Sequence, residues 1–362
     1  QCGNSPGSLH GHLAFGGLVA KQVARPRLNA VLRWLLPLGI SALAVALLLR
    51  SIDLDALMLA FRSITVGTLL IAVALFIIGL LFRVWAWHLM LGEQFPFARV
   101  FYVMNAGYLL NNVFPFRLGE FGRAILLGSH EPGKPGILAV LSSIVVERIF
   151  DVFLAAVFFL STLPLVLVEG NASWIAFTML GLAVLAFLML IVITRKREIV
   201  VGWLGSRQGK LGKPLAWLAP KVDGLLKGFS VLNNPRLFVL SFLFLLISWV
   251  LSMVQHTFLR LELMPGSEWW WVIFVLSTGA FAGALPSAPA GLGVFEAANV
   301  GAFILLGVDQ STALAYALIV HAIQFTFLSL FGLVGLIKEG QSIGDLYRKA
   351  RLTKRAKQEI SE

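Results

Sequence analysis

Apolar runs long enough to cross a bilayer recur along this chain from residue 32 to residue 337, and no other feature constrains its architecture as tightly. About 20 apolar residues span the hydrocarbon, where a helix satisfies every backbone N–H and C=O within its own segment. Runs near or above that length cover Leu32–Leu49, Ile64–Leu91, Ile137–Val168, Trp174–Ile193, Leu237–Phe258 and Ser311–Ile337. Shorter ones cover Phe97–Phe114, Trp269–Leu285 and Val294–Leu306, and Ile52–Phe61 is amphipathic. Charged residues make up 13%, about half the share of a soluble domain, so the pattern predicts an all-α, polytopic integral membrane protein.

The net charge of +11 invites a nucleic-acid partner, but its placement points elsewhere. Residues 1–33 carry four Lys/Arg and no acid, residues 194–236 nine against two acids, and residues 338–362 seven against four. That is the positive-inside pattern, which predicts cytoplasmic N- and C-termini and a cytoplasmic loop at 194–236. Anionic lipid headgroups account for the basic rims, and no nucleic acid is expected. Within the loop, Leu215–Leu232 reads as an amphipathic helix lying on the inner surface. Residues 1–31 are expected to be a cytoplasmic, processed or appended segment, and 338–362 a basic cytoplasmic tail. A single cysteine, Cys2, excludes an internal disulfide framework and any cysteine-based metal site.

Parity then constrains the topology. If Phe97–Phe114 crossed the membrane alone, the basic loop would fall outside, so residues 97–136 must enter and leave on the cytoplasmic side. The expected solution is a re-entrant helical hairpin bending at Pro115 to Gly119. By analogy, a second hairpin enters from the outer side and bends at Pro286, Pro289, Gly291 and Gly293, although two full crossings satisfy parity there as well. The expectation is a bundle of two inverted repeats, about 32–168 and about 172–337, within a transmembrane domain over 32–337. Interrupted helices meeting near mid-membrane form the binding sites of many transporters, and their free N–H groups suit an anionic phosphate.

Polar residues within the apolar runs are the candidate site, because intramembrane ionisable groups mark pathways by default. Asn112, Arg117, Glu120 and Arg123 fall around the first bend, where Arg offers a fork for phosphate and Glu120 an acceptor for an amine or proton; an internal ion pair is the alternative. Glu147, Arg148 and Asp151 share one region of a helix and can hold the first hairpin, relay protons, bind a cation or form a salt bridge. Glu296 follows the second bend with no adjacent base, so it is expected either to meet an arginine of the first hairpin, to titrate, or to cap the helix beginning near Gly293. Arg83, His88, His256, His321 and Gln324 are single polar groups in apolar helices, His321 and Gln324 suiting interhelical hydrogen bonds. Gly279 and Gly283 read as close helix packing.

Catalytic signatures are absent from the sequence: there is no Walker loop and no HExxH motif, and the GLGVFE stretch lacks the strand context of a dinucleotide fingerprint. No catalytic residue, metal site or cofactor is expected.

Three motifs in order, Asn112-x-x-Pro115-x-Arg117-x-Gly119-Glu120-x-x-Arg123, Glu147-Arg148-x-x-Asp151, and Pro286-x-x-Pro289-x-Gly291-x-Gly293-x-x-Glu296 followed by Leu306-Gly307-Val308, resemble the transmembrane domain of the lysylphosphatidylglycerol synthase (multiple peptide resistance factor) family. The resemblance covers nearly all of 32–337, with Pro289-Ala290-Gly291 where the family often has Pro-Gly-Gly. It implies a stand-alone, flippase-like member that translocates a phospholipid or polyprenyl-type lipid across a bacterial or archaeal cytoplasmic (inner) membrane. Full-length members attach an aminoacyltransferase domain after the membrane domain; 25 residues follow the last apolar run here, so lysyl transfer is not expected. The competing expectations are an accessory subunit of a separately encoded lipid-modifying transferase and, further off, an intramembrane transferase. Expected partners are membrane lipids with an anionic phosphate headgroup, a second copy of the chain, or such a separate enzyme.

Overall fold

The computed structural model describes residues 39–48, 53–114, 117–128, 135–167, 172–206, 234–285 and 287–340. Every regular element among them is helical, in the order α1 (Gly39–Leu48), α2 (Leu54–Ser63), α3 (Val66–Met90), α4 (Phe97–Val113), α5 (Leu118–Leu127), α6 (Ile137–Val166), α7 (Ala172–Arg195), α8 (Arg197–Ser206), α9 (Pro235–Leu263), α10 (Trp271–Ala284), a 3-10 turn at Pro289–Gly291, α11 (Val294–Leu305) and α12 (Gln310–Lys338). Five of these, α3, α6, α7, α9 and α12, are long and apolar enough to cross a membrane, which makes the chain a multi-pass membrane protein. The expected Leu215–Leu232 helix, Pro115, Pro286 and residues 1–38 and 341–362 lie outside the described residues.

Local chemistry sets the helix starts. Asp53 accepts from the backbone N–H groups of Asp55 and Ala56, and Asp309 accepts from Thr312, each satisfying donors that a first turn leaves free. Asn234 does the same for α9, with Pro235 in the first position, where its missing N–H costs nothing. Thr65 caps α3, and its hydroxyl also donates to Glu262 at 2.7 Å, tying the start of α3 to the end of α9. The two helices therefore run antiparallel along each other.

Backbones approach closely where glycine allows it. In α12, a Cβ on Gly332 or Gly335 would fall 2.5 Å from the Asn105 carbonyl oxygen or 2.3 Å from that of Tyr102, so α12 lies directly on α4. By contrast, α7 packs mainly on α6 and turns Trp174, Phe177, Leu182, Leu185 and Met189 outward.

The packing partners come in matched pairs. The pair α4/α5 is matched by α10/α11, α5/α6 by α11/α12, α3/α4 by α9/α10, and α4/α12 by α10/α6, while α3 and α9 pack on each other. Both short pairs are helical hairpins. Arg99, at the start of α4, bonds the Leu126 carbonyl at the end of α5 at 3.3 Å and the Glu339 carboxylate after α12 at 3.0 Å. The start of α10 and the end of α11 meet near the other end of α12, where Trp271, Gly307, Val308 and Asp309 line one groove. The hairpins thus open toward opposite ends of α12.

Candidate functional site

The bends of the two hairpins meet inside the bundle. Arg117 opens α5 in a left-handed conformation, φ 51°, and its guanidinium donates to the carbonyl of Gly283 near the end of α10. From the other side, the turn at Pro289–Gly291 packs on α4, and the N–H of Ala288 donates to the Ser41 hydroxyl of α1 at 2.9 Å. Gly293, φ 82°, packs so tightly on α1 that a Cβ there would come within 2.7 Å of the Ser41 carbonyl.

Behind the first bend lies a network of four arginines and three carboxylates. Arg83 of α3 grips Asp151 with both terminal nitrogens, at 2.7 and 2.9 Å, and Trp249 Nε1 adds a third hydrogen bond at 3.1 Å. Arg123 is buried, stacks over the Trp87 ring at 4.5 Å and donates to Glu147 at 2.8 Å. Arg148 reaches Glu147 at 3.2 Å, Asp151 at 3.4 Å and Glu120 at 3.5 Å, and Arg117 donates to Glu120 at 3.2 Å. Low-dielectric surroundings demand such pairing, since an isolated buried charge is costly. With all groups in their ordinary ionised forms, one positive charge is left over. Arg117, with 36% of its side chain exposed, is the most accessible of the four arginines.

A cavity of about 640 Å³ adjoins this network and reaches both bends. Its wall includes Arg83, Arg117, Arg148 and Asp151 on one side, with apolar surface from Phe76, Leu80, Phe281 and Leu328. Neutral polar groups complete the lining, among them Asn111, Asn112, Gln255, His256, Asn299 and Gln324.

Among the residues singled out in the sequence, Asn112, Arg117, Arg148 and Asp151 line the cavity, whereas Glu120, Arg123, Glu147 and Glu296 do not. Glu120 is held by two arginines. Arg123 and Glu147 are, at 2% and 0% side-chain exposure, an internal ion pair. Glu296 meets no arginine among the described residues: it accepts from the Gly293 N–H at 2.7 Å, capping α11, and pairs with His321. Gly119 comes two residues after the left-handed Arg117. It occupies the first turn of α5, where a Cβ would lie 1.8 Å from the Gly107 carbonyl oxygen, and its N–H donates to Asn111 at 2.8 Å. Gly283, expected to pack helices closely, has nothing within 4 Å of a would-be Cβ; its carbonyl is what matters.

Two participants are not evident from the sequence. Arg83 looks like an isolated cation, yet it is the main partner of Asp151, and Trp249 completes that carboxylate's shell. An arginine and an aspartate in separate spanning runs are a pairing signal, because each requires a counterion in hydrocarbon.

Comparison with known proteins gives the family. The sequence profile described as "Lysylphosphatidylglycerol synthase TM region" matches residues 34–332. A UPF0104 membrane protein of Methanocaldococcus jannaschii is similar at 25% identity over 233 residues, 62% of this chain and 92% of that protein. The matched region contains both hairpins, the arginine–carboxylate network and the cavity, so the chain belongs to the lysylphosphatidylglycerol synthase TM region family.

Proposed function

We propose that the protein moves a lipid with an anionic phosphate headgroup between the leaflets of a cytoplasmic membrane. The observation that carries this reading is the cavity, where three arginines share a wall with apolar surface. At about 640 Å³ it is within the range that encloses a small ligand or headgroup. The surplus positive charge beside it favours an anion, and arginine's planar fork suits phosphate oxygens. Arg117, the most exposed of the three and paired with one carboxylate, is the anchor in this reading, with Arg83 and Arg148, each held by two or more carboxylates, supplying field rather than first contact.

In the same reading the matched helix pairs are two inverted repeats, and the hairpins are re-entrant, entering from opposite leaflets. The paired packing and the opposite openings of α4/α5 and α10/α11 support it. The basic residues after α12 support a cytoplasmic opening for α4/α5. Alternating access is then a rocking of one repeat against the other about the cavity.

The test is leaflet exchange in proteoliposomes carrying tail-labelled phosphatidylglycerol, read by chemical quenching of the outer leaflet. Purified protein is expected to make nearly all labelled lipid quenchable, and quenching that stops at the outer-leaflet half would overturn the proposal.

A further inference from the structure

Resting on that transport reading, we infer that Glu296 and His321 form a proton-binding site that couples lipid movement to a proton gradient. The basis is a comparison of the two halves, aligned on the first residues of their helices. Glu120 is third in α5 and Glu296 third in α11, while Arg148 is twelfth in α6 and His321 twelfth in α12. In the first half the acid has Arg148 at 3.5 Å, and in the second it bonds the imidazole of His321. The same register sets Asn299 against Arg123, Val320 against Glu147 and Gln324 against Asp151. Those three charges have neutral counterparts, whereas the Glu120–Arg148 pair keeps its acid and exchanges a permanently charged guanidinium for an imidazole, the side chain that ordinarily changes charge between about pH 5 and 8.

The pair is placed to act on the cavity without lining it. The Glu296 and His321 side chains are 5% and 11% exposed, and His321 Nε2 bonds no described residue yet is not fully buried, which leaves it open to a proton carried by water. The Phe295 ring meets the His321 ring edge to face at 5.1 Å between centroids, and Phe295, Asn299 and Gln324, each within a turn of the pair on the same helices, line the cavity. Because Glu296 also accepts from the Gly293 N–H at 2.7 Å, the pair is joined directly to the second bend. No other titratable group bonds it among the described residues. The neighbouring α1 and α10 carry none. On α12 itself, Tyr316 bonds His256 of α9, and Lys338 is at the far end. Also on α9, Arg260 is held by Ser267, Glu262 by Thr65 and Thr68, and Arg236 stands in the first turn. The other helices against α12 bring Arg99, paired with Glu339, Tyr102 and Tyr108 on α4, Arg83, paired with Asp151, and His88 on α3, and Asp55 and Arg62 on α2.

The proton balance is simple. Loaded, the pair is a carboxylate beside an imidazolium and sums to zero. Release of one proton from Nε2 to water leaves a neutral imidazole whose Nδ1–H still donates to Glu296, with one uncompensated negative charge. Burying that charge is costly, so the loaded and unloaded pairs favour different arrangements of the second bend. A proton taken from water on one side and released on the other thereby gives the rocking repeats a direction.

The experiment places tail-labelled phosphatidylglycerol in the outer leaflet of proteoliposomes and imposes a pH gradient, with the potential held at zero by potassium and valinomycin. The leaflet distribution is read by quenching once it is steady. With one proton per lipid, a gradient of about one pH unit is expected to carry the distribution past one half, to a leaflet ratio of up to about tenfold that a protonophore collapses. A distribution that settles at one half under the gradient would overturn the inference and leave transport itself standing; label that never leaves the outer leaflet would overturn transport. Glu296→Gln and His321→Arg, the second reproducing the pairing of Glu120 with Arg148, are each checked first for a monodisperse gel-filtration peak, and either one that folds decides. Both should settle at one half whatever the gradient. A gradient-driven bias that survives in a folded variant would put the proton elsewhere, and a folded variant that moves no lipid would make the pair structural; either outcome would overturn the assignment.

Discussion

Around the hairpin α4/α5 the interior holds four arginines against three carboxylates, whereas the ionisable group on α11 is Glu296, paired with His321 of α12. The two hairpins have matched helix partners and open toward opposite ends of α12, yet one is surrounded by full charges and the other by neutral hydrogen-bonding groups. Shared packing evidently does not require shared electrostatics. The first hairpin brings Arg117 to the cavity and is held among paired charges, while the second borders the cavity with backbone turns that Gly291 and Gly293 make possible at φ 79° and 82°.

The largest effect that would break the comparison belongs to Gly119. Leu at this position drives atoms into the Gly107 carbonyl, and no rotamer relieves a Cβ that is 1.8 Å away, so Gly119→Leu should abolish the monodisperse peak in gel filtration. Next come the two carboxylates. Glu147→Gln leaves the buried Arg123 without its ion-pair partner and should cost about 3–5 kcal/mol. Glu296→Gln keeps a side chain that can cap Gly293 and hydrogen-bond His321, so it should cost only about 1 kcal/mol. Melting temperatures of the two variants, measured in one detergent, decide whether the charged hairpin is the more dependent on its acid.

Arg117→Ala separates function from folding. It removes the accessible cation but no buried partner, so exchange of phosphatidylglycerol should fall roughly tenfold to a hundredfold, with melting close to wild type. The smallest effect is expected at Gly283→Ala, within about 0.5 kcal/mol, because open space surrounds the new methyl group and the carbonyl that receives Arg117 stays. If Gly283→Ala proved as damaging as Gly119→Leu, the second hairpin would be as tightly packed as the first.

Much of the helix plan is legible in the apolar runs, as in Ile64–Leu91 against α3 and Ser311–Ile337 against α12, because spanning length and composition are one-dimensional properties. The charge network is legible in its members but not in its pairing. Glu147, Arg148 and Asp151 are helical neighbours, whereas Arg83 lies 68 positions before Asp151, and only the three-dimensional packing of α3 on α6 brings them together. Glu296 shows the opposite limit. Its capping of Gly293 is a local pattern of three residues, but His321 stands 25 positions further on and cannot be chosen over an arginine from spacing alone. Gly119 reads as a turn residue because proline and glycine cluster there; its role is to let one helix backbone touch another, which a sequence does not distinguish.

The outward-facing α7 bears on how the protein is made. Its apolar surface and sparse packing mean that partition from the translocon into lipid can be decided by α7 itself while the chain is still being synthesised. The helix α4 is in the opposite position: it carries Asn105, Asn111 and Asn112, and the groove that receives it is on α12, the last of the described helices to emerge from the ribosome. Biogenesis should therefore run out of order, with the other spanning helices inserted first and the first hairpin committed to its place only after α12 has arrived. Nascent chains truncated before α12 should leave α4 open to protease or to water-soluble thiol labelling, and chains extended through Lys338 should not.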